Sequence, residues 1–387
     1  MKTTLRGFAL AFSAIVLLSW LSAAAPAQSS GLVPTPPMGW NGWEAFGCKV
    51  DEQLVKAEAD AIVSSGMQKA GYLYVNLDDC WEGTRDSNGN IQPNSKFPDM
   101  PGLVKYVHND GLKFGIYSSP GPKTCAGYLG SYKHEQQDAT TYAGWGVDYL
   151  KYDWCSAGSV YKSSQMKAAY DKMYQALQNT SRPIVYSLCQ YGLQNVWQWG
   201  AGVGGNLWRT GGDVKDNYDE MWVSGIDEYG LQSYAGPGQW NDPDLLQVGN
   251  GGMTADEYRS QMALWSLLAA PLLASTDLTN MTQQTLAILT NPDVIAVDQD
   301  SAGIQGSRYQ QTGPFEIWTK SLTSGSTAVG LFNRSEGASN MCVNFRGIGV
   351  GETAWVRDLW AREDRGSFQT QYCANVPKHG VVLVTLN

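Results

Sequence analysis

The chain has 387 residues and a net charge of −9 at neutral pH, with no cluster of basic residues. This balance argues against nucleic acids and anionic membranes as partners. The 15 Trp and 20 Tyr residues supply flat aromatic surfaces of the kind on which sugars stack, although most of them are needed in the core.

Residues 1–27 have the pattern of a cleaved signal peptide. An apolar stretch from Phe8 to Leu21 follows two basic residues and leads to small residues at 25–27. The stretch is short for a membrane span and no other segment approaches one, so a membrane anchor is the weaker alternative. We therefore expect an exported protein, secreted or periplasmic, whose mature chain begins near Gln28.

Residues 28–300 alternate between short apolar strands and helical patterns. The predicted strands are Met38 to Trp40, Tyr72 to Leu77, Lys113 to Ser118, Val147 to Asp153, Pro183 to Cys189, Asn206 to Thr210, Gln239 to Leu246 and Leu272 to Ser275. Helical patterns between them include Glu52 to Lys69, Ser163 to Gln178, Ala255 to Ala270 and Met281 to Leu289. Strands separated by crossovers pair in parallel, and eight such strands close on themselves. This region is predicted to be an α/β domain, a (β/α)₈ TIM barrel.

Residues 301–387 show no helical periodicity. Short alternating stretches such as Phe315 to Trp318 and Val381 to Val384 are separated by turns rich in Gly, Ser and Asn. This pattern predicts a small antiparallel β domain at the C-terminus.

The run from Val147 to Cys155 reads as a buried strand that delivers a lysine and a carboxylate into one cavity. Side chains alternate along a strand, so Lys151 and Asp153 point the same way. Two buried charges are costly unless they serve each other or a ligand. The ammonium group would keep Asp153 ionised, as a carboxylate nucleophile requires. The alternative is a structural ion pair within the strand.

Chemistry in a barrel gathers where the strands end. Polar or aromatic residues stand at nearly every predicted strand end: Trp43, Asp78, Asp79, Tyr117, Lys151, Asp153, Gln190, Arg209, Asp213, Asp242 and Asp244. Two carboxylates that face one sugar can cleave a glycosidic bond, one as nucleophile or base and the other as acid.

Asp153 suits the ionised role, which leaves Asp213 as the proton donor. Arg209, four residues earlier, would lower the pKa of Asp213, whereas substrate closure and the charge of Asp153 would raise it. The alternative for Asp213 is that it only caps the helix that follows.

Metals and nucleotide cofactors are not predicted. A divalent cation between Asp78, Asp79 and Asp153 would have Lys151 as a poor neighbour. The chain has no C-x-x-C motif and only three scattered histidines. The glycine run at 200–205 matches G-x-G-x-x-G, but it precedes a strand and is therefore read as a loop.

Seven cysteines in an exported protein predict disulfides with one thiol left over. Four of them, Cys48, Cys80, Cys125 and Cys155, follow predicted strand ends, and Cys342 and Cys373 share the C-terminal region. Cys189 is the odd one.

Seven motifs in order along the mature chain resemble those of glycoside hydrolase family 27. They lie at Pro36 to Trp43, Asn76 to Trp81, Gly115 to Tyr117, Tyr149 to Cys155, Ser187 to Cys189, Trp208 to Asp213 and Trp240 to Asp244. This family holds α-galactosidases and α-N-acetylgalactosaminidases. The resemblance implies a (β/α)₈ barrel followed by an antiparallel β-sandwich, and retaining hydrolysis of a carbohydrate without a cofactor.

The resemblance also implies residue roles. Asp153 would be the nucleophile and Asp213 the acid/base. The implied sugar contacts are Asp78 and Asp79 at O4 and O6, Trp43 and Tyr117 as apolar wall, Lys151 near O3 and O4, Arg209 at O2, and Asp244 at the entrance. Cys48 would pair with Cys80, and the Cys125–Cys155 disulfide would pack near C6 of the sugar.

One departure concerns the end of the fifth strand. Many family members carry Cys-Glu-Trp where this chain has Cys189-Gln190-Tyr191, at the position that meets the 2-substituent of the sugar. A neutral amide also hydrogen-bonds O2 of the sugar, so this replacement is compatible with galactose as the bound sugar. Some members bridge this cysteine to one near the sixth strand, but Gly205-Asn206 offers no partner here, which agrees with a free Cys189.

Three functions remain open from the sequence. The first is an exo-acting α-galactosidase. The second is a relative that cleaves α-N-acetylgalactosaminide or β-L-arabinopyranoside. The bulk of Gln190-Tyr191 argues against the acetamido group, and Asp78 at the O6 position argues against a sugar without a C6 hydroxyl. The third is a sugar-binding protein without catalysis, for which neither Asp153 nor Asp213 is needed. The aglycone and the oligomeric state are left undetermined.

Overall fold

The computed structural model describes residues 31–387, so the signal peptide predicted at 1–27 lies outside the described residues. No helix within 31–387 has the length and apolar character needed to cross a membrane.

A parallel barrel forms the first domain, as the sequence predicts. Its strands are β1 Met38–Asn41, β2 Tyr74–Asn76, β3 Lys113–Ser118, β4 Tyr149–Asp153, β5 Val185–Cys189, β6 Leu207–Arg209, β7 Trp240–Asp242 and β8 Leu272–Ala274. They pair in the order β8-β1-β2-β3-β4-β5-β6-β7. The segment after β7 closes the circle on β8, because Leu246 N–H donates to Leu273 O and Ser275 N–H donates to Leu246 O, both at 2.9 Å. All eight predicted strands are confirmed.

Helices cover the outside of the barrel, except for the short first helix, which contributes to a cavity at the carboxyl-terminal strand ends. They are α1 Trp43–Phe46, α2 Glu52–Ser64, α3 Met67–Ala70, α4 Met100–Asn109, α5 Glu135–Trp145, α6 Met166–Gln178, α7 Tyr218–Ile226, α8 Ala255–Leu268, α9 Gln283–Leu289 and α10 Pro292–Asp298. The single helix predicted from Glu52 to Lys69 is wrong, since it is divided into α2 and α3. Gly66 adopts φ = +87° between them, a left-handed conformation that ends a helix. A hairpin that the sequence did not predict, Glu82–Arg85 with Ile91–Pro93, follows β2.

Large side chains fill the amino-terminal end of the barrel. Tyr74, Tyr149, Leu207 and Trp240 come from the first residues of β2, β4, β6 and β7, and they form one buried cluster. Such packed layers make a barrel interior solid rather than porous. The polar side chains of the carboxyl-terminal strand ends therefore stand above a packed floor.

The second domain is the predicted antiparallel one. Its strands are β9 Ser307–Thr312, β10 Phe315–Ser321, β11 Thr327–Asn333, β12 Ser339–Asn344, β13 Thr353–Asp358, β14 Glu363–Gln369, β15 Gln371–Val376 and β16 Val381–Leu386. Six strands pair in the order β9-β10-β11-β16-β13-β14, and β12 pairs with β15 in a second sheet. Inward-facing residues of both sheets share one core cluster, which makes the domain a β-sandwich.

The two domains pack closely against each other. Lys320 on β10 is 1% exposed and its ammonium group donates to Ser266 O on α8 at 3.1 Å. The ring of Phe332 on β11 packs edge-on against Trp222 of α7, with 5.2 Å between centroids. The barrel core therefore continues into the sandwich.

Candidate active site

A cavity of about 370 Å³, including the space at its open mouth, lies at the carboxyl-terminal ends of the barrel strands. Its wall is formed by Trp43, Glu44, Asp78, Asp79, Tyr117, Cys125, Lys151, Asp153, Arg209, Asp213, Asp244 and Leu245. Every predicted catalytic and sugar-binding residue except Gln190 is therefore brought to one place. Parallel register explains the grouping, since the ends of neighbouring strands meet at the same edge.

A larger groove of about 1580 Å³ lies near the amino-terminal ends of β5, β6 and β7. It includes part of the glycine run at 200–205, which forms a short 3₁₀ turn before β6 and not a strand-to-helix phosphate loop. The described residues that line this groove include no Asp or Glu. Of these two cavities, the smaller one alone is lined by carboxylates.

The end of β2 presents Asp78 and Asp79 in a fixed geometry. Asp78 Oδ1 accepts the Asp79 N–H at 2.9 Å, and Asp79 accepts the N–H groups of Cys80 at 2.7 Å and Ala126 at 2.8 Å. Cys80 adopts φ = +81° and is bonded to Cys48 in a disulfide, so the turn is held covalently. Burial raises the pKa of Asp79. These backbone bonds leave each carboxylate little freedom to turn.

Lys151 and Asp153 both face the cavity, as strand alternation predicts. The ammonium group of Lys151, however, lies 2.8 Å from Oδ2 of Asp78, which also accepts from Asn41 Nδ2 at 2.6 Å. The alternative of a Lys151–Asp153 ion pair within the strand is therefore wrong. The charge of Lys151 still lowers the pKa of Asp153, which lies two residues away on the same face of β4.

Asp153 is 5% exposed, and both of its carboxylate oxygens accept a phenol. Tyr117 donates to Oδ2 at 3.2 Å and Tyr191 donates to Oδ1 at 2.5 Å. Burial raises the pKa of Asp153 to about 6, against the lowering effects of Lys151 and of the Tyr191 hydrogen bond. Asp153 is therefore mostly ionised at neutral pH, and its orientation is fixed.

The cysteines form three disulfides: Cys48–Cys80, Cys125–Cys155 and Cys342–Cys373. Cys189 is free and buried at the end of β5. Within residues 31–387, Cys125, Asp153 and Cys155 are the one group of three potential metal ligands close enough to share an ion. The two sulfur atoms are joined in a disulfide and are not thiolates, so this group does not have the chemistry of a metal site.

Arg209 connects Asp213 with Asp244. Its Nη2 lies 3.1 Å from Asp213 Oδ1 and its Nη1 lies 2.9 Å from Asp244 Oδ1. Burial alone would raise the pKa of Asp213, but the charges of Arg209 and Lys151 outweigh it and lower that pKa. The side chain of Asp213 is 49% exposed, whereas Asp244 is 5% exposed and belongs to the wall rather than to an open rim.

Asp213 does not cap a helix. The next helix, α7, begins five residues later, and the Asn217 side chain accepts from the N–H groups of Asp219 and Glu220 there. The capping alternative for Asp213 is therefore wrong, and its carboxylate is left to the cavity.

Gln190 is placed differently from the other predicted binding residues. Its side chain is completely buried and does not line the cavity. Neither amide atom has a hydrogen-bond partner within the described part of the chain. A ligand can meet this amide only after the side chain changes its conformation.

Sequence reasoning missed Asn41 and Leu245, and it also missed two residues with ionisable side chains beside the carboxylates. Glu44 follows Trp43 in α1 and lines the cavity, and burial together with the charge of Asp244 raises its pKa. Tyr191 follows Gln190 and bonds Asp153. Both adjoin a predicted residue, but each lies just beyond its strand, where alternation no longer tells which way a side chain points.

Comparison with known families agrees with this architecture. The sequence profile described as Alpha galactosidase A matches residues 35–300. A second profile, the Alpha galactosidase C-terminal beta sandwich domain, matches residues 312–386. The chain belongs to the α-galactosidase family. The predicted resemblance to glycoside hydrolase family 27, which holds the α-galactosidases, is thereby confirmed.

Individual members of the α-galactosidase family match over most of their length. The α-galactosidase of Coffea arabica is 45% identical over 357 residues, 91% of this chain and 93% of the relative. The crystal structure of α-galactosidase I from Mortierella vinacea has a TM-score of 0.88 and 37% identity, covering 93% of this chain and 98% of that one. An α-galactosidase from Saccharomyces cerevisiae, solved with raffinose, has a TM-score of 0.87 and 29% identity, covering 94% and 100%.

Proposed function

We propose that this protein is an exported, exo-acting α-galactosidase that hydrolyses terminal α-D-galactosyl residues with retention of configuration. The observation that carries the proposal is the pairing of Asp153 and Asp213 in one small cavity, with Asp78 and Asp79 fixed in its wall. Two carboxylates that line one cavity can serve as the nucleophile and the acid/base of double displacement, and the buried one, Asp153, is held in a fixed orientation.

In the first step, an oxygen of Asp153 attacks the anomeric carbon from the face opposite the leaving group. Asp213 gives its proton to the glycosidic oxygen as the bond between this oxygen and the anomeric carbon breaks. In the second step, water gives a proton to Asp213, and the oxygen of that water displaces Asp153 from the anomeric carbon. Two inversions restore the α configuration.

The pKa values of the free protein make the acid role of Asp213 depend on the substrate. In the free protein the pKa of Asp213 is lowered by Arg209 and Lys151 despite its partial burial. A bound sugar would cover this half-exposed carboxylate, which strengthens desolvation, and would share Arg209 through its 2-hydroxyl. Both changes raise the pKa of Asp213 toward the value that a proton donor needs.

The proposed galactose contacts follow the shape of the wall. Asp78 and Asp79 would accept the axial O4 and O6 hydroxyls, and Lys151 would donate near O3 and O4. Arg209 would donate to O2, while Trp43 and Tyr117 would cover the apolar faces of the sugar. The cavity ends on the packed floor of the barrel, so the end of a sugar chain would enter it and an internal sugar would not pass through, which supports exo action.

The glycone preference is proposed from two features. An acetamido group at C2 would need space near the end of β5, where Tyr191 already occupies the region beside Asp153. Asp78 at the O6 position favours a sugar with a C6 hydroxyl over an arabinopyranoside. Export is supported by the three disulfides, which persist in oxidising compartments.

Two measurements test the proposal. The first compares the aryl glycosides of α-galactose, α-N-acetylgalactosamine and β-L-arabinopyranose, and we expect the α-galactoside to be cleaved fastest. The second is Asp153→Asn, which removes the nucleophile with a nearly isosteric group and should abolish turnover while the melting temperature stays close to that of the unmodified protein. Turnover by a folded Asp153→Asn variant, or faster cleavage of either other glycoside, would overturn the assignment.

A further inference from the structure

The hydroxyl of Tyr191 has one clear acceptor. It lies 2.5 Å from Oδ1 of Asp153, 3.4 Å from Cys155 Sγ and 3.7 Å from Cys125 Sγ. The two sulfur atoms belong to a disulfide and carry no proton, and they are weak acceptors compared with a carboxylate. Tyr191 therefore donates its single phenolic hydrogen bond to Asp153.

The backbone around Tyr191 is held in an unusual conformation. Tyr191 has φ = +62°, which is uncommon for a residue with a large side chain. The next residue, Gly192, has φ = +78° and donates its N–H to Arg209 O at 3.1 Å. A Cβ at Gly192 would lie 2.1 Å from Thr210 O, so only glycine permits this approach to the end of β6. Strained positions persist where the surroundings fix them, and they cluster at functional sites.

We infer that Tyr191 is a positioning residue that acts through Asp153, holding Oδ1 so that Oδ2 is the oxygen that attacks the sugar. The shorter bond is on Oδ1, and Oδ2 has only the longer bond from Tyr117. A charge-assisted hydrogen bond withdraws electron density from its acceptor, which leaves the other oxygen the better nucleophile. This inference rests on the proposed function, in which Asp153 is the nucleophile.

The two chemical steps respond to this hydrogen bond in opposite ways. In the first step the electron pair of Oδ2 forms the bond to the anomeric carbon, the glycosidic bond breaks, and the leaving oxygen takes the proton of Asp213. Asp153 loses its charge in that step, so the Tyr191 bond weakens. In the second step water bonds the anomeric carbon, its proton goes to Asp213, and the electron pair of the ester bond returns to Asp153. Tyr191 therefore favours the second step.

The first test isolates the ionisation of Asp153. In an Asp213→Asn background, kcat/KM for an aryl α-galactoside with an activated leaving group needs no acid, so its pH dependence reports Asp153 alone. We expect the midpoint of this profile to rise by about one pH unit when Tyr191→Phe is added, as loss of a hydrogen bond to a charged group predicts. The matched control is Tyr170→Phe, because Tyr170 donates to Cys189 O at 3.0 Å and anchors the same loop without bonding Asp153. The control should leave the midpoint unmoved.

The second test uses Tyr191→Phe alone with the same activated substrate. Slower breakdown of the glycosyl enzyme should lower kcat and KM together, and a burst of phenol should precede the steady state. A residue with a purely structural role would instead lower kcat/KM without lowering KM.

The outcomes separate this inference from the proposed function. If Asp153→Asn still turns over, the proposed function fails and the role of Tyr191 fails with it. If Asp153→Asn is inactive but Tyr191→Phe changes neither the midpoint nor KM, only the inference about Tyr191 is overturned. A midpoint that moves equally in Tyr170→Phe would also overturn it, since loop anchoring would then explain the effect.

Discussion

Lys151 on β4 reaches across β3 to Asp78 at the end of β2, with 2.8 Å between the ammonium nitrogen and Oδ2. The same ammonium group lies 5.3 Å from the ring centroid of Tyr117 on β3. Both partners are largely buried, so water cannot fully compensate either charge if the other partner is removed. One lysine thus fixes a carboxylate of the cavity wall and lowers the pKa of Asp153.

Replacing Lys151 by methionine should lower kcat/KM by about 100-fold or more, because removing one member of a buried ion pair leaves the other charge uncompensated. Steady-state kinetics with an aryl α-galactoside measures the effect. Lys378→Met is the matched control, since Lys378 is half exposed and pairs with the exposed Glu336 on the surface of the sandwich. Retention of activity within about tenfold in Lys151→Met would contradict the role given to this ion pair.

The Asp213→Asn variant should lose most activity on substrates with poor leaving groups, which need protonation, and keep the glycosylation step on activated aryl galactosides. Added azide should restore turnover, because azide attacks the glycosyl enzyme without a general base. The product is expected to be α-galactosyl azide, identified by NMR. A β-galactosyl azide would mean that the roles of Asp153 and Asp213 are assigned wrongly.

The pH profile of kcat/KM for the unmodified protein should be bell-shaped with its maximum below about pH 6. Asp153 must be ionised and Asp213 protonated, and the pair must therefore hold one proton. Burial raises the pKa of Asp153 to about 6, whereas the charges of Arg209 and Lys151 hold that of Asp213 low despite its burial. As pH rises through about 6 the pair loses its last proton, and activity falls. A maximum above neutral pH would contradict this order of ionisation.

Cys189 should be the one cysteine that iodoacetamide alkylates after unfolding without reductant, because the other six are paired. In the folded protein we expect no alkylation, since the thiol is buried and burial raises its pKa well above the usual range. Peptide mass spectrometry of both samples measures the outcome. A free Cys125 or Cys155 in the unfolded sample would contradict the pairing beside Asp153.

Lys320→Met should destabilise the contact between barrel and sandwich. Asp298 on α10 is completely buried, and the charge of Lys320 lowers a pKa that burial raises. Methionine cannot donate to Ser266 O, and the substitution also removes the positive charge that lowers the pKa of Asp298, so a loss of about 2 kcal/mol in the free energy of unfolding is expected. Thermal melting should show a clear decrease, and adding Asp298→Asn should restore part of it.

The control for that experiment is Lys378→Met. Lys378 pairs with Glu336 on the surface of the sandwich, and exposed ion pairs contribute about 1 kcal/mol or less. Equal melting temperatures for Lys320→Met and the unmodified protein would show that the buried lysine does not stabilise the domain contact.

The local pattern of the chain was enough to predict the barrel and the grouping of its strand ends. Apolar strands separated by crossovers admit few arrangements, and once the strands are parallel their carboxyl ends meet. Lys151 and Asp153 therefore had to share one face of β4, and Asp78 had to lie at the same end of the barrel. The order of the motifs along the chain likewise identifies its family from the sequence alone.

Contacts between strand ends were decided only by the tertiary structure. Alternation says which face a side chain occupies but not how far it reaches, so the choice of Asp78 over Asp153 as the partner of Lys151 depends on the curvature of the barrel. Gln190 and Tyr191 lie just past β5, where the backbone turns to φ = +62° and alternation ends. The first side chain is thereby buried away from the cavity and the second is brought to Asp153. The low pKa of Asp213 is settled in the same way, because it depends on the distances to two cations that come from two different strands.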